Sequence, residues 1–433
     1  MAPWTNWAGT ETAEPERVVA PHDVREIVEE IERARARGRT VKMMGTGHSF
    51  TGISAPVDTM VRPDHFAGIV AVDRDAMTVT VRAGTPLHVL NEQLTVLGLS
   101  LHNMGDIAEQ TLAGATSTGT HGTGGRVASL SAQIEGFTIL SGHGEEIRAS
   151  RAGASDLFAV GRVGLGALGI LTELTLKVEP LFALEAHEQP MTWDTALAAY
   201  DELTSDHDHV DLYWFPHTEH ALAKVHDRRA DLVGIRPLGR WKHWLDDELL
   251  SNTLFGLITT LGTRAPRAVP ALNGLSGQAL SERRFSDVAH RVFTSTRRVR
   301  FKEMEYAVPR EVGLEALREV RRVIDASTWR IGFPVEVRST PADDIALSTA
   351  SGRESIYLAF HVPAGADHTD YFTGVEDVLR HFEGRPHWGK MHTRTADELS
   401  ALYPRFGEFL AVRDALDPDR VFTNPYLRSV LGD

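Results

Sequence analysis

Gly45-Thr46-Gly47-His48-Ser49-Phe50 and Gly119-Thr120-His121-Gly122-Thr123-Gly124-Gly125 are the two stretches from which the rest of the chain is best read. The first runs straight out of Thr40 to Met44, a short strand by pattern. Its two glycines let the backbone turn so that several N–H groups converge, which suits an anion such as a pyrophosphate. The second follows Leu112-Ala113-Gly114-Ala115-Thr116-Ser117 and offers the same mixture of small residues, hydroxyls and backbone donors. Either stretch alone reads equally well as a tight turn. Together they read as a cradle for a diphosphate.

A third glycine run, Gly164 to Gly169, matches GxGxxG. A Rossmann site needs that loop between a strand and a following helix. Here Asp156 to Val160 looks helical, and Ile170 to Val178 alternates with period two. The order is reversed, so these glycines are expected to serve close packing instead. Further out, Val24, Ile27, Val28 and Ile31 mark a helix face that Gly38 stops. Met77 to Arg82 predicts a half-buried strand. Thr85-Pro86 followed by Leu87, Leu90, Leu94 and Leu97 predicts a helix capped by Thr85 and ended by Gly98. Phe137 to Leu140 and Glu146 to Ala149 flank a turn and predict a hairpin. Beyond Pro180 the texture changes, and residues 190–290 have weak periodicity. Later, Val299 to Val308, Phe333 to Arg338 and Ser355 to Val362 read as strands, and Leu314 to Ile324 as a helix.

At 433 residues the chain has room for two domains at roughly 100–200 residues each. With 42% apolar residues it can bury an ordinary core. Lys plus Arg is 45 against 59 Asp plus Glu, a formal charge of -14, which argues against non-specific nucleic-acid binding. Arg297-Arg298-Val299-Arg300 reads as a strand flank, and Arg318 to Arg322 as the wet face of a helix. There is no cysteine, so thiol catalysis, disulfides and Cys-ligated metal are excluded. The histidines lack metal spacing, so no metal is expected. The opening residues lack a signal-peptide pattern, and the apolar run Leu249 to Gly262 is too short for a bilayer core of ~30 Å. A cytoplasmic protein without an integral membrane segment is expected. Neither GxSxG nor HExxH is present.

The candidate chemistry sits in the later half. Glu336 and Arg338 share one face of a strand and the flanking valines take the other. They read as a structural ion pair or as a pair facing a substrate. His361 shares its strand face with Tyr357 and Ala359. Arg385-Pro386-His387-Trp388-Gly389-Lys390 would place a cation rigidly, as a developing oxyanion requires; the plainer alternative is a loop with an exposed lysine.

Taken in order, Asn6-Trp7-Ala8-Gly9, the Gly45–Phe50 loop, Asn103-Met104-Gly105-Asp106, the Gly119–Gly124 loop, Gly166 to Ile170, Glu303-Met304-Glu305-Tyr306, Glu336-Val337-Arg338, His387 to Lys390 and Asp417 to Asn424 span nearly the whole chain. This series resembles the FAD-dependent oxidases of the vanillyl-alcohol oxidase superfamily. Within it the match is to the aldonolactone oxidoreductases, the group of L-gulono-1,4-lactone oxidase/dehydrogenase and D-arabinono-1,4-lactone oxidase. The resemblance implies an α+β fold: an FAD-binding domain over 1–180, a substrate-covering domain on an antiparallel sheet over 181–413, and a segment 414–433 that returns to the first domain.

The resemblance also implies roles. His48 would carry FAD covalently through the flavin 8α-methyl; a cysteinyl bond is excluded by composition. Met44, Gly45, Thr46, Gly47, Ser49, Phe50, Met104, Gly105, Asp106, Gly114, Ala115, Thr118, Gly119, His121, Gly122, Gly169, Ile170, His387, Lys390 and Asn424 would bind the cofactor. Arg338 and Lys390 would stabilise an alkoxide, Lys390 would also favour negative charge on the flavin, and Glu336 would bind substrate hydroxyls. His361 would contact substrate or take its proton. Alditol oxidases carry Ser at the position of Asp106, and a His and a Thr in the strand read here as Ala359-Phe360-His361; both departures favour an aldonolactone over an open-chain polyol. Gly105 would leave oxygen a path, and oxidases of the family often have Gly there, but dehydrogenases using another acceptor also carry it, so the choice between O2 and another acceptor stays open. The competing expectations are an alditol oxidase, a lactone dehydrogenase, and a flavin-binding protein without turnover. The oligomeric state is not readable from the sequence.

Overall fold

A computed structural model describes residues 3–238, 265–295 and 299–433. The apolar run Leu249 to Gly262 and the pair Arg297-Arg298 lie outside them. No helix among the described residues is long and apolar enough to cross a membrane.

The first half is built mainly on two sheets, beside two short two-stranded ones. Strands Arg17–Val19, Thr59–Val61 and Val41–Met43 form a parallel sheet in that order. Helix Val24–Arg35 supports it: Asp23 caps the helix by accepting from the Glu26 amide (3.0 Å), and Ile27, Ile31 and Ala34 are buried against Val41, Val61 and Phe422. A five-stranded antiparallel sheet runs Glu146–Ser150, Ile134–Leu140, Ile170–Lys177, Thr78–Arg82, Ile69–Asp73. The expected hairpin is its edge. The GxGxxG run does join a helix, Ser155–Gly161, to a strand, as the reversed order predicts. Gly169 has φ +150°, and a Cβ there would strike the Leu140 carbonyl, so it serves close packing.

The second half is one eight-stranded antiparallel sheet. Its order is Arg283–Val288, Ala183–Thr192, His220–Arg229, His209–Trp214, Val335–Thr340, Ser355–Pro363, Phe301–Pro309, Arg385–Pro386. One face is covered by helices Trp193–Asp206, Arg310–Ala326 and Thr369–His381 and buries Trp214, Val320, Val337, Leu358 and Phe360. Because strand side chains alternate, the opposite face receives Asp211, Glu303, Glu305, Glu336 and Arg338, all buried. Charges stay buried only when partnered, so this face is where chemistry is to be sought.

Two readings of the sequence differ from the structure. Thr85 does not cap helix Leu87–Val96; Pro86 stands at the cap. The Thr85 hydroxyl instead bonds the Gly68 amide (2.9 Å) and the Arg82 carbonyl, while the Leu87 and His88 amides find the carbonyls of Gln110 and Ala108. A tertiary strand of backbone has replaced the side-chain cap. The described part of residues 190–290, weakly periodic by sequence, alternates helices Trp193–Asp206 and Val269–Ala279 with strands of the large sheet, of which only His209–Trp214 is buried on both faces. The chain also rejoins the first core early. Leu399, Tyr403, Phe406 and Phe409 pack with Val79, Leu90 and Leu112, as do Leu427 and Val430.

Candidate functional site

Two cavities meet between the halves. The first, called the longer, is bounded by residues of the first half and Phe422. It is walled by Val41 to Met43, the Gly45–Ser49 loop, Thr111 to Thr118 and the Leu165–Leu171 turn. The shorter, about 680 Å³, lies on the polar face of the large sheet. His48, Ser49, Gln110 and Thr118 line both, so the two spaces join at His48.

The glycines let these walls approach one another. At Gly45 a Cβ would collide with the Thr111 hydroxyl, which itself caps helix Leu112–Ser117 by accepting from the Gly114 amide (3.3 Å). Lys42 ties the far end together. Its Nζ donates to the carbonyls of Gly166 (2.7 Å) and Phe422 (2.9 Å). Burial lowers its pKa to about 7, against the pull of Asp417. Trp7 stacks on His48 with ring centroids 5.6 Å apart, and its amide donates to Gly47 (2.8 Å). Burial pushes the His48 pKa down; Glu109 opposes this and Lys390 adds to it, so the imidazole is neutral at neutral pH.

Sheet register assembles the shorter cavity. Tyr213, Glu336, Ala359 and Glu305 stand opposite one another across four strands, and Glu303 stands opposite His361. The Arg338 guanidinium donates to Glu336 (2.5 Å) and Asp211 (2.8 Å) and lies 3.7 Å from Asp106. Burial alone would disfavour that charge, but Glu336, Asp211 and Asp106 hold it firmly protonated. The Tyr213 hydroxyl donates to Glu336 (2.6 Å). On the other side Lys390 forms an ion pair with Glu303, which also lies 3.4 Å from His361 Nε2. The His387–Lys390 turn is laced to strand Phe301–Pro309 by the His387 and Met391 amides, and the Phe50 amide donates to Gly389 (2.7 Å). Burial opposes the charge on Lys390, yet Glu303 and Glu305 raise its pKa. Burial likewise opposes ionisation of Glu303 and Glu305, but Lys390 and His121 respectively hold both below the usual carboxylate range.

Glu336, Arg338, His361 and Lys390 therefore converge on one cavity with His48, Ser49, Phe50, Gly105, Asp106, Thr118, His121 and His387. Gly45, Thr46, Gly47, Gly114, Gly169 and Ile170 line the longer one. Met44, Met104, Ala115, Gly119, Gly122 and Asn424 line neither. Gly122 lies against Asn103 and Met104, where a Cβ would collide with both. Asn424 spends its side-chain amide on the carbonyls of Gly52, Ile53 and Ala55 and accepts from the Leu427 amide (2.8 Å), so it positions the C-terminal helix. The second glycine loop contributes Thr120 and His121 to the shorter cavity rather than amides to the longer one.

Sequence reasoning missed Lys42, Gln110, Thr111 and Phe422 in the longer cavity and Asp211, Glu303 and Glu305 around the shorter. A signal existed for two of these: acids at 303 and 305 alternate with Met304, Tyr306 and Val308 on an otherwise apolar strand. His121, Glu305 and His387 also place one ligand-type atom each within 4.8 Å of one another. Glu305 already accepts from His121 Nε2 (3.0 Å), and His387 Nδ1 accepts from the Gly389 amide (3.0 Å).

The donor set fits the flavin dinucleotide that the sequence resemblance implies. A glycine-walled cavity suits the nucleotide, a neutral imidazole marks the junction, and carboxylate-bound cations line the space beyond it.

A sequence model of the D-arabinono-1,4-lactone oxidase family matches residues 174–430, and one of FAD binding domains matches residues 15–150. The chain is 39% identical to L-gulono-1,4-lactone dehydrogenase of Mycobacterium tuberculosis, with 100% of each chain covered. It is 31% identical to L-gulonolactone oxidase of Mus musculus, covering 98% of this chain and 97% of that one. It is 29% identical to alditol oxidase of a Streptomyces species, covering 99% and 98%. Among solved structures, cholesterol oxidase from B. sterolicum matches with a TM-score of 0.82 at 16% identity, covering 99% and 96%; the likeness is one of fold.

Proposed function

Since the chain belongs to the D-arabinono-1,4-lactone oxidase family of FAD-linked oxidoreductases, we propose that it oxidises the C2 hydroxyl of an aldono-1,4-lactone of the L-gulono type. The product is the 2-keto lactone, which enolises to an ascorbate-type compound. Oxygen is the terminal acceptor and is released as hydrogen peroxide. Residues 1–180, with the C-terminal segment that rejoins their core from Leu399 onward, hold FAD, and the large-sheet half covers the substrate.

The observation that carries this reading is the pair of carboxylate-bound cations on one cavity. Arg338 and Lys390 line one cavity, each fixed by carboxylates. FAD, when bound, supplies the hydride acceptor. The chain's own residues do the rest. Arg338 and Lys390 hold the charge that gathers on the C2 oxygen, in a site where fixed donors need no reorganisation. Glu336 uses Oε1 on Tyr213 and Arg338 and accepts a substrate hydroxyl at Oε2. His361, facing Glu303 through Nε2, takes the hydroxyl proton. Gly105 leaves one wall of the cavity as bare backbone; a Cβ there would press to 2.9 Å from the Thr120 methyl.

Anaerobic flavin bleaching tests the reading. L-gulono-1,4-lactone should bleach the bound flavin and xylitol should not. Bleaching by xylitol alone would move the enzyme to the alditol oxidases, and bleaching by neither would defeat both. Readmitted air should restore colour with stoichiometric peroxide. Slow recovery would make it a lactone dehydrogenase, the description given to the Mycobacterium tuberculosis relative.

His48 is the tether. After acid precipitation the yellow colour should stay in the pellet, and in His48→Ala it should pass to the supernatant. Because the folded pKa of His48 is depressed, the neutral, nucleophilic imidazole persists into mild acid. Covalent incorporation into apoprotein should therefore be level from neutral pH into mild acid and fall only below the ordinary histidine range of about 6.5. Colour in the wild-type supernatant would reject the bond.

A further inference from the structure

Beyond Arg338 the substrate cavity has a neighbour, a hollow of about 540 Å³. Arg338 and Asp106 line both spaces. Sheet register explains what the hollow contains. Glu188 stands opposite Arg283 on one side and Lys224 on the other, and Lys224 stands opposite Asp211. Arg338 continues the row through its bond to Asp211 (2.8 Å), and Arg283 closes the other end by donating to Glu188 (2.7 Å). The charges thus alternate in sign across five strands. Ala221, Ala223, Leu212 and Trp214 occupy the helix-covered core, so by alternation Lys224, His226, Asp211 and Tyr213 look into the hollow.

With Asp106 beside Arg338, the three cations of the row meet three carboxylates, so an ion of either sign meets as much repulsion as attraction. An apolar ligand would leave the buried His226 Nδ1 unsatisfied. His226 sharpens the point: it is 5% exposed, and its Nδ1 has no hydrogen-bond partner among the described residues. A buried polar atom of this kind calls for a partner from outside the protein. The rings of Phe285 and Phe293 face the same space, and the Lys224 ammonium sits 4.8 Å from the Tyr213 ring. Closely spaced donors and acceptors beside aromatic rings suit a neutral polyhydroxylated group, whose hydroxyls both donate and accept while its C–H faces lie on rings.

We propose that this hollow is a second subsite, which takes a sugar unit attached to the lactone beyond the ring being oxidised, with Arg338 and Asp106 as the shared wall. The proposal rests on the lactone reading above and extends it to glycosylated aldonolactones.

The test compares L-gulono-1,4-lactone with a glycosylated gulono-1,4-lactone on the flavin-loaded enzyme. Wild type should show kcat/KM about tenfold higher for the glycosylated substrate, the worth of one or two net hydrogen bonds. His226→Phe removes the unpartnered nitrogen at similar volume, and Ser295→Trp fills the hollow from its exposed rim. Both should abolish the advantage through KM while leaving the unsubstituted lactone unchanged. Equal kcat/KM for the two substrates in wild type, or an equal loss on both in Ser295→Trp, would overturn the proposal. If wild type oxidises neither lactone, the proposed function falls, and the hollow is judged by saturation-transfer NMR with methyl β-glucoside. A signal lost in Ser295→Trp would support the subsite, and no signal in wild type would reject it.

Discussion

Lys390→Ala should slow anaerobic flavin reduction by the lactone about 10²–10³-fold, the usual effect of deleting one fixed donor to a developing oxyanion. It should leave flavin content unchanged, because the tether is elsewhere. The structure adds a second consequence. Lys390 is the direct partner of buried Glu303, so its removal strands a carboxylate that is 5% exposed. Breaking a buried pair in this way costs about 3–5 kcal/mol of stability. In wild type the Glu303 pKa is depressed: its stabilising contribution is complete above the unfolded carboxylate value and is lost as pH falls through the folded one. Without Lys390, His361 remains to oppose the burial of Glu303, so the depression must shrink. Lys390→Ala should then lose less stability than wild type as pH falls, its deficit being largest at neutral pH. Lys390→Met combined with Glu303→Gln should regain most of the stability, because neither buried charge remains, yet stay as slow as the single variant. Stopped-flow reduction and urea unfolding across pH 4 to 8 separate the two effects. A rate within threefold of wild type would remove Lys390 from the chemistry.

What was legible in the sequence was local. The Val24–Arg35 helix, the Gly45–Phe50 loop and the Glu336/Arg338 face follow from periodicity and residue type, and the structure has them where they were read. What was illegible depends on partners that only folding brings near. Lys42 reaches the Phe422 carbonyl across 380 positions, and Glu303 meets Lys390 across 87. A lone lysine in a strand has no local pattern, and the alternation that marks Glu303 on an apolar strand does not say which cation it meets. Asp211 was hidden for another reason: its strand lies in the interior of the large sheet, where both faces are buried. The same burial defeats the assumption that the second glycine loop must serve its amides to a ligand; it serves His121 and Thr120 instead.

Arg338→Ala should lower kcat/KM for the lactone by about 30- to 3,000-fold, the equivalent of ~2–5 kcal/mol for losing a buried, hydrogen-bonded charge. The loss should appear mainly in kcat, because the guanidinium acts on charge that grows as the hydride leaves. Arg338→Lys should recover little. One ammonium cannot reproduce the planar fork that reaches Glu336 and Asp211 together while facing Asp106. Removing the cation also leaves three carboxylates around one space. Burial already pushes the Asp211 pKa up; Arg338 pulls it down, and Glu336 pushes it up again. Without Arg338 the rise must grow. A carboxyl whose folded pKa is raised favours the folded state at low pH and gives up that advantage as pH climbs through the folded value. The thermal midpoint of Arg338→Ala should therefore fall between pH 5 and 8 relative to wild type. Added guanidinium ion at millimolar concentration should restore part of the rate to Arg338→Ala, and methylammonium less, because only the former can bridge two carboxylates. Equal rescue by both ions would mean that charge alone matters at this position, and an unaltered kcat would place the alkoxide elsewhere.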